Sequence, residues 1–269
     1  MQFLNHMTLG QYVPADSFVH HLDPRCKIVA AVALLTGVFL VSDLRLFPLW
    51  ALLLPCLAFL ARIPLTMVLR SARPVVVLVL LTALIHVFFT KGEAIWQWGI
   101  VSITGEGLVM AARMGLRLFF LVLFAGLLTL TTSPMELSDG LERLFSPLTP
   151  LGFPAHDLAM MMTIALRFIP TLLDETDRIM KAQLARGADL DRGNVVRRLR
   201  AFIPVLVPLF VIVFQRADDL ATAMEARGYR GGRGRTRLNP LKWRLRDGAA
   251  LAVVVAVVAA AVVADRILL

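Results

Sequence analysis

Long stretches without a charged residue alternate with short polar segments along much of the chain. Each of the five clearest stretches is about long enough to cross a bilayer once its flanking residues snorkel to the interface. Two of them are only fifteen or sixteen residues long, and the fourth carries two arginines in its first half. The pattern predicts five transmembrane helices, at Ile28–Ser42, Leu46–Ala61, Pro74–Thr90, Gly107–Thr132 and Gly248–Ala264.

Composition supports an integral membrane protein. Of the 269 residues, 58% are hydrophobic and only 17% are charged, and the mean hydropathy is +0.75. A soluble domain is nearer half apolar and one quarter charged. The two cysteines, Cys26 and Cys56, have neither a metal-binding nor a redox spacing, so no metal, no cofactor and no disulfide framework is predicted.

The positive charge is concentrated in one part of the chain. The net charge is +9, and 18 of the 28 basic residues lie between Thr132 and Arg246, among 12 acidic ones. Retention of positive charge on the cytoplasmic side explains this better than nucleic-acid binding, because the segment lies between hydrophobic runs. With Trp96 and Trp98 at the opposite interface, the loops predict a multi-pass protein of the cell (inner) membrane. Its N-terminus and basic segment face the cytoplasm and its C-terminus faces outward.

The basic segment predicts amphipathic helices rather than further spans. Ser133 and Glu136 form a capping-box pattern around a proline at the first helical position. The uncharged stretch Ala201–Phe214 is too short to span and contains two prolines, which favours a core or interfacial helix. The chain is therefore predicted to be an all-α integral membrane protein of about five transmembrane helices plus a cytoplasmic bundle. Its predicted divisions are a leader (1–27), four spans (28–132), a cytoplasmic or interfacial domain (133–247) and a last span (248–269).

A short charged helix ending occurs twice in this domain, as Ala185-Arg186-Gly187 and Ala226-Arg227-Gly228. An aspartate precedes each arginine by nine residues and an alanine precedes it by four. Glycine after a helix can adopt a positive φ and close it, and arginine in the last turn complements the helix dipole. These are ordinary helix-ending residues, but the matched offsets favour a shared function. Phe168 and Phe202 precede the arginines by eighteen and twenty-five residues, close to whole numbers of turns, which places each pair on one face.

Together with two further stretches, these endings make the sequence recognisable. The leader reads His-Leu-Asp-Pro-Arg-Cys-Lys at 21–27, and Leu-Arg-Phe-Ile-Pro at 166–170 precedes the first ending. Over nearly its whole length the chain resembles the transmembrane T component of energy-coupling factor (ECF) transporters, a family shared with cobalt and biotin uptake systems. One departure is mild: Cys26 stands where a polar residue is expected.

The resemblance implies a coupling role for the domain at 133–247. Two cytoplasmic helices would present Ala185, Arg186, Gly187, Ala226, Arg227 and Gly228 to two ABC-type ATPase subunits. The supporting motif residues would be Asp23, Pro24, Arg25, Arg167, Phe168 and Pro170. A separate membrane-embedded S component would bind a vitamin or transition-metal ion. The chain itself would then be no enzyme, have no catalytic residues and bind no cofactor.

Other readings of the residues remain open at this stage. Arg113 and Arg117 lie one turn apart in a predicted span, where they either serve a function, snorkel outward or cap a polar contact between helices. A membrane-embedded lipid-headgroup transferase is the alternative function, since such an enzyme needs clustered acids for a divalent metal. The candidate acids are Asp174, Glu175, Asp177, Asp218 and Asp219. A self-sufficient secondary transporter would need broken, polar helices at mid-membrane, which the first three spans lack.

Overall fold

The structure is a computed structural model that describes residues 12–90, 94–98, 101–188, 195–231 and 241–268. It is predominantly helical, which confirms the predicted fold class. Outside the helices, a two-stranded antiparallel hairpin occupies part of the segment where only a loop was predicted. The helices are α1 (Pro24–Leu40), α2 (Phe47–Leu60), α3 (Leu65–Ser71), α4 (Arg73–Phe89), α5 (Gly105–Thr131), α6 (Pro134–Phe145), α7 (Ala155–Ala185), α8 (Val195–Ala226) and α9 (Leu245–Leu268); the strands are β1 (Ala94–Trp98) and β2 (Val101–Thr104).

The chain divides into two compact units. Residues 10–141 and 240–269 form one, called the bundle unit here, and residues 142–239 belong to the other, called the helix-pair unit because α7 and α8 make up most of it. The bundle unit therefore contains the described part of the leader (residues 12–23), α1 to α5, most of α6, and α9. The first and last helices, α1 and α9, therefore belong to the same unit.

The core of the bundle unit is aromatic at its centre. Trp50 on α2 is fully buried, and its ring meets the edge of Phe124 on α5 with 6.0 Å between centroids. Gly37 allows α2 and α9 to pack closely against α1. A Cβ at this position would lie 2.8 Å from Val258 on α9 and 2.9 Å from Trp50 on α2. A glycine is thus needed at this position for close helix packing.

Two buried carboxylates on α9 hold both ends of α1. Near the start of α9, Asp247 accepts a hydrogen bond of 3.0 Å from the backbone N–H of Asp23, just before α1 begins. Near its end, one oxygen of Asp265 accepts from the backbone N–H groups of Ser42 and Asp43, at 2.9 and 2.7 Å. The two acids are eighteen residues apart, which is five helical turns, so they lie on one face of α9. Since matching ends meet, α1 and α9 run parallel.

Arg117 caps a polar group between helices, one of the roles that the sequence left open for it. Its guanidinium donates to the carbonyl of Val41, at the end of α1, over 2.8 Å, and it lies over the Phe39 ring at 5.4 Å from the centroid.

The predicted capping box is also confirmed. The Ser133 N–H donates to the Glu136 carboxylate, and the Glu136 N–H donates to the Ser133 hydroxyl, each over 3.2 Å, where α6 begins.

Length and composition identify a different set of candidate spans from the sequence pattern. Among the described residues, four helices are long and apolar enough to cross a membrane: α5, α7, the Leu199–Ala226 part of α8, and α9. A fifth is possible if the segment from Leu44 to Ser71, bent by 119°, is one span. At 17 residues each, α1 and α4 are about 25 Å long, so they need flanking residues to reach both interfaces.

Candidate functional site: two matched helix endings

The first repeated ending closes α7 in a defined backbone geometry. Arg186 is the C-cap residue, and Gly187 follows with φ +86°. The Gly187 N–H donates to the Leu184 carbonyl over 2.9 Å, and the Ala188 N–H donates to the Gln183 carbonyl over 3.0 Å. This pair of bonds is the Schellman motif, which satisfies carbonyls that a helix end leaves without partners.

The second ending closes α8 in the same way. Gly228 has φ +70°, and its N–H donates to the Glu225 carbonyl over 2.8 Å. The Tyr229 N–H donates to the Met224 carbonyl over 3.0 Å. Residue by residue, these donors and acceptors occupy the same positions as those of the first ending. The two tripeptides are therefore two copies of one local structure, and not merely two copies of a sequence.

The side chains of both endings are presented outward. The alanine, arginine and glycine of each ending are exposed. Neither the Arg186 nor the Arg227 side chain makes a hydrogen bond or ion pair with any residue in the described part of the chain. A Cβ placed on Gly187 or Gly228 would meet no atom of the described residues within 4 Å. Within the described residues, both guanidinium groups are therefore exposed and unpaired.

The matched spacings before the two arginines place the alanines and aspartates on defined faces of the helices. The alanine four residues before each arginine (Ala182 and Ala223) lies one turn back on the same face, and its carbonyl accepts the arginine N–H over 3.2 Å in both endings. A small side chain there leaves the face beside the arginine open. Nine residues are two and a half turns, so Asp177 and Asp218 lie on the opposite face from the arginines. Asp177 pairs there with Lys181 at 2.5 Å.

The two endings are well separated along α8. The side-chain amide of Gln183, near the end of α7, donates to the carbonyl of Pro204 over 3.2 Å. From Pro204 to Ala226 there are 22 residues of helix, a rise of roughly 30 Å. The first ending therefore lies near the beginning of α8 and the second at its far end. Such a pair suits two separate, similar grooves better than a single pocket.

The leader motif has a structural role in the bundle unit. The Asp23 carboxylate caps α1 by accepting the Arg25 N–H over 3.0 Å, and Pro24 occupies the first helical position. The Arg25 guanidinium donates to the Leu241 carbonyl over 3.4 Å. Cys26, the departure from the family pattern, still acts as a donor, since its thiol bonds to the Asp247 carbonyl at 3.2 Å.

The motif before the first ending lies inside α7. Arg167 is exposed, Phe168 is half-buried, and Pro170 is exposed within an unbroken helix. Because α7 is continuous from there to Ala185, Phe168 and Arg186 lie on one face, as the count of turns predicted. No partner in the described residues assigns Arg167 a task, so its functional role stays a prediction.

A metal-dependent enzyme finds no support in the structure. In the described ranges, no group of three or more His, Cys, Asp or Glu residues is placed to hold a metal ion. Of the candidate acids on α7 and α8, Asp174, Asp218 and Asp219 are exposed. Glu175 and Asp177 are half-buried and pair with Arg178 and Lys181. Sequence reasoning missed Asp247 and Asp265, whose only signal was an acidic residue at each end of an Ala- and Val-rich run.

Comparisons with known proteins identify the family. The sequence matches the cobalt transport protein (CbiQ) family over residues 15–238. A protein of Thermanaerovibrio acidaminovorans is 62% identical over 251 residues, covering 93% of each chain, and one of Clostridium kluyveri is 49% identical over 243 residues, covering 90% of each. A protein of Bacillus subtilis is 45% identical over 245 residues, covering 91% of this chain. All three are named energy-coupling factor transporter transmembrane protein EcfT.

These matches and the apolar helices describe a multi-pass protein of the cell membrane. They also confirm the resemblance found from the leader, the arginine-aromatic stretch and the two helix endings. The chain belongs to the cobalt transport protein family and, within it, to the transmembrane components of energy-coupling factor transporters, which are transport proteins rather than enzymes.

Proposed function

We propose that this chain is the coupling subunit of an ECF-type importer, and that its two Ala-Arg-Gly endings bind two ABC-type ATPase subunits. The proposal rests above all on one observation: both endings have the same Schellman geometry and both present an arginine without a partner among the described residues. Two copies of one structure suit a partner that offers two similar grooves, as a dimer or pseudo-dimer of ATPases does.

Arginine suits this contact for chemical reasons. Its guanidinium is planar, keeps its charge at every physiological pH, and can form paired hydrogen bonds with carboxylates and backbone carbonyls. The neighbouring alanines keep the end of each helix narrow enough to enter a groove. A charged pair sealed from water there contributes several kcal/mol of coupling, whereas an exposed pair contributes almost nothing.

Transmission of the motion follows from the length of the helices. ATP binding would draw the two ATPase subunits together, and each bound ending would move with its groove. With 31 and 32 residues, α7 and α8 are each about 45–50 Å long and carry that displacement as rigid elements. The residues at 133–247 would thus form the coupling domain on the cytoplasmic side, with the N-terminus on that side too.

A second membrane protein would supply substrate recognition. Large apolar side chains of α8 remain exposed along one face, at Ile203, Leu206, Phe210 and Phe214. Such a face needs the membrane interface or an apolar partner to cover it. A membrane-embedded S component held against these faces would release a vitamin or a transition-metal ion, and the family's description as cobalt transport proteins supports that class of substrate.

Charge reversal at the endings tests the proposal directly. The double variant Arg186→Glu, Arg227→Glu should abolish co-purification of the ATPase subunits and substrate uptake while the protein remains in the membrane. Each single variant should weaken ATPase binding by about 2–5 kcal/mol, or roughly 30-fold or more, because it leaves a groove group without its partner. Arg178→Glu is the matched control, since Arg178 is an exposed arginine of α7 two turns earlier.

The backbone geometry can be tested apart from the charge. Alanine at Gly187 or Gly228 meets no neighbour among the described residues, but it strains a backbone that requires positive φ. Asparagine tolerates that conformation better. We expect the alanine variants to lose more ATPase binding than the asparagine variants. Normal assembly and uptake in the double arginine variant, or a loss equal to that in Arg178→Glu, would overturn the proposed contact.

A further inference from the structure

The bundle unit contains a partly open apolar cleft with a volume of about 540 Å³. Its walls come from the leader, α1, α2, α5 and α9, and nearly all of its lining surface is carbon. The volume lies within the ~300–1,000 Å³ typical of sites that bind small ligands. Residues that represent each wall are Phe18, Ala30, Leu57, Phe124, Ala250 and Val254.

Apart from Arg246, the polar side chains that line the cleft have hydrogen-bond partners within the protein. The Lys27 ammonium donates to the carbonyls of His20 and Thr131 over 2.9 and 3.1 Å. The Cys26 thiol donates to the Asp247 carbonyl, and the Thr131 hydroxyl donates to the Leu127 carbonyl over 2.8 Å. The interior surface is therefore almost entirely apolar, and a hydrocarbon chain is the chemistry that fits it.

One edge of the cleft is cationic. Arg246 lines it, is exposed, and has no hydrogen bond or ion pair with the described residues. Lys242 and Arg244, in the segment that leads into it, are also exposed. The adjacent Asp247 makes no ion pair with Arg246, because it is buried and its two oxygens accept the N–H groups of Asp23 and Arg244.

We propose that this cleft binds one anionic phospholipid, with an acyl chain between α1 and α9 and the headgroup beside Arg246. An apolar interior with a cationic edge matches the two parts of such a lipid. A zwitterionic lipid also carries a phosphate, but its ammonium group offsets that charge beside the basic residues, and an apolar helix would leave the arginine without a partner. The basic end of α9 lies on the side that we propose to be cytoplasmic, where anionic lipids are concentrated. A lipid held there would complete the packing between the first and last helices.

The headgroup is tested with the full chain in mild detergent. The protein is incubated with equimolar phosphatidylglycerol and phosphatidylcholine of identical acyl chains, and retained lipid is counted by native mass spectrometry. One phosphatidylglycerol should be retained in preference to phosphatidylcholine, and Arg246→Gln should lower that preference about fivefold, as expected for one basic residue at an anionic headgroup. Arg45→Gln is the control, since Arg45 is exposed in the same unit but does not line the cleft. This measurement does not depend on orientation in the membrane or on ATPase binding, so it fails or succeeds independently of the proposed function.

The acyl chain is tested by filling the cleft. Ala250→Phe should reduce lipid retention severalfold, because Ala250 lines the cleft, whereas Ala252→Phe should not, because Ala252 is exposed on α9 outside it. Circular dichroism of both variants checks that the helices are intact, and Ala250→Leu gives a smaller substitution if Ala250→Phe does not fold.

Three results would overturn the inference. These are equal retention of the two lipids by the unchanged protein, equal retention by the Ala250 and Ala252 variants, and a cross-link from the variant Val253→Cys to a helix of another subunit in the assembled transporter. The last result would show that a protein, and not a lipid, covers the cleft.

Discussion

Replacing Asp265 by alanine should release the end of α9 from the end of α1. One carboxylate oxygen of Asp265 accepts two backbone N–H groups, those of Ser42 and Asp43, at 2.9 and 2.7 Å. The residue is 4% exposed, so water cannot readily replace the lost acceptor. Because the partner groups are backbone atoms, they remain in place in the variant and lose their bonds.

The magnitude can be worked from these two bonds. A hydrogen bond to a charged group contributes about 1.5–3 kcal/mol, and a buried donor left without an acceptor carries a comparable penalty. Two such donors give about 3–5 kcal/mol of destabilisation for Asp265→Ala. Asparagine keeps an acceptor oxygen but loses the charge, so Asp265→Asn should cost about 1–2 kcal/mol.

Reversible unfolding by SDS in mixed micelles, followed by circular dichroism, measures these free energies. Asp43→Ala is the matched control, because among the described residues the Asp43 side chain accepts only the N–H of Arg45, at an exposed turn. Losing such a cap costs about 1 kcal/mol. The Arg186 and Arg227 endings belong to the other unit, so ATPase co-purification at a permissive temperature should persist. If Asp265→Ala is no more destabilising than Asp43→Ala, the inferred clamp between α1 and α9 is wrong.

Two further predictions concern packing and pH. Gly37→Val should destabilise the protein by about 1–3 kcal/mol, because its Cβ would press on Val258 and Trp50, and the double variant with Val258→Ala should recover part of that loss in the same unfolding assay. Burial lowers the pKa of His20, whose ring donates from Nε2 to the Val13 carbonyl, so the folded protein favours the neutral ring. The free energy of unfolding should therefore be highest above about pH 6.5. It should fall as the pH drops below that value, because the unfolded chain takes up the proton before the folded one does. A His20→Gln variant whose pH profile matches that of the unchanged protein would contradict this.

The repeated endings could be predicted from sequence because their structure is local. Each Schellman motif joins residues at most five positions apart, and the glycine that permits positive φ is part of the motif itself. The same holds for the capping box at Ser133 and Glu136. The resemblance to ECF transporters rested on such local motifs, and the family match confirms it.

The sequence alone thus determined the class of the protein, most of its helices, and the form of the two endings, since hydropathy and helix termination act over a few residues. Only the tertiary structure decided which helices share a core and what the isolated acids do. Asp247 and Asp265 bond to residues more than 220 positions away, and the apolar cleft is bounded by five separate segments. No local pattern encodes such pairings, because they depend on which faces meet when distant helices pack.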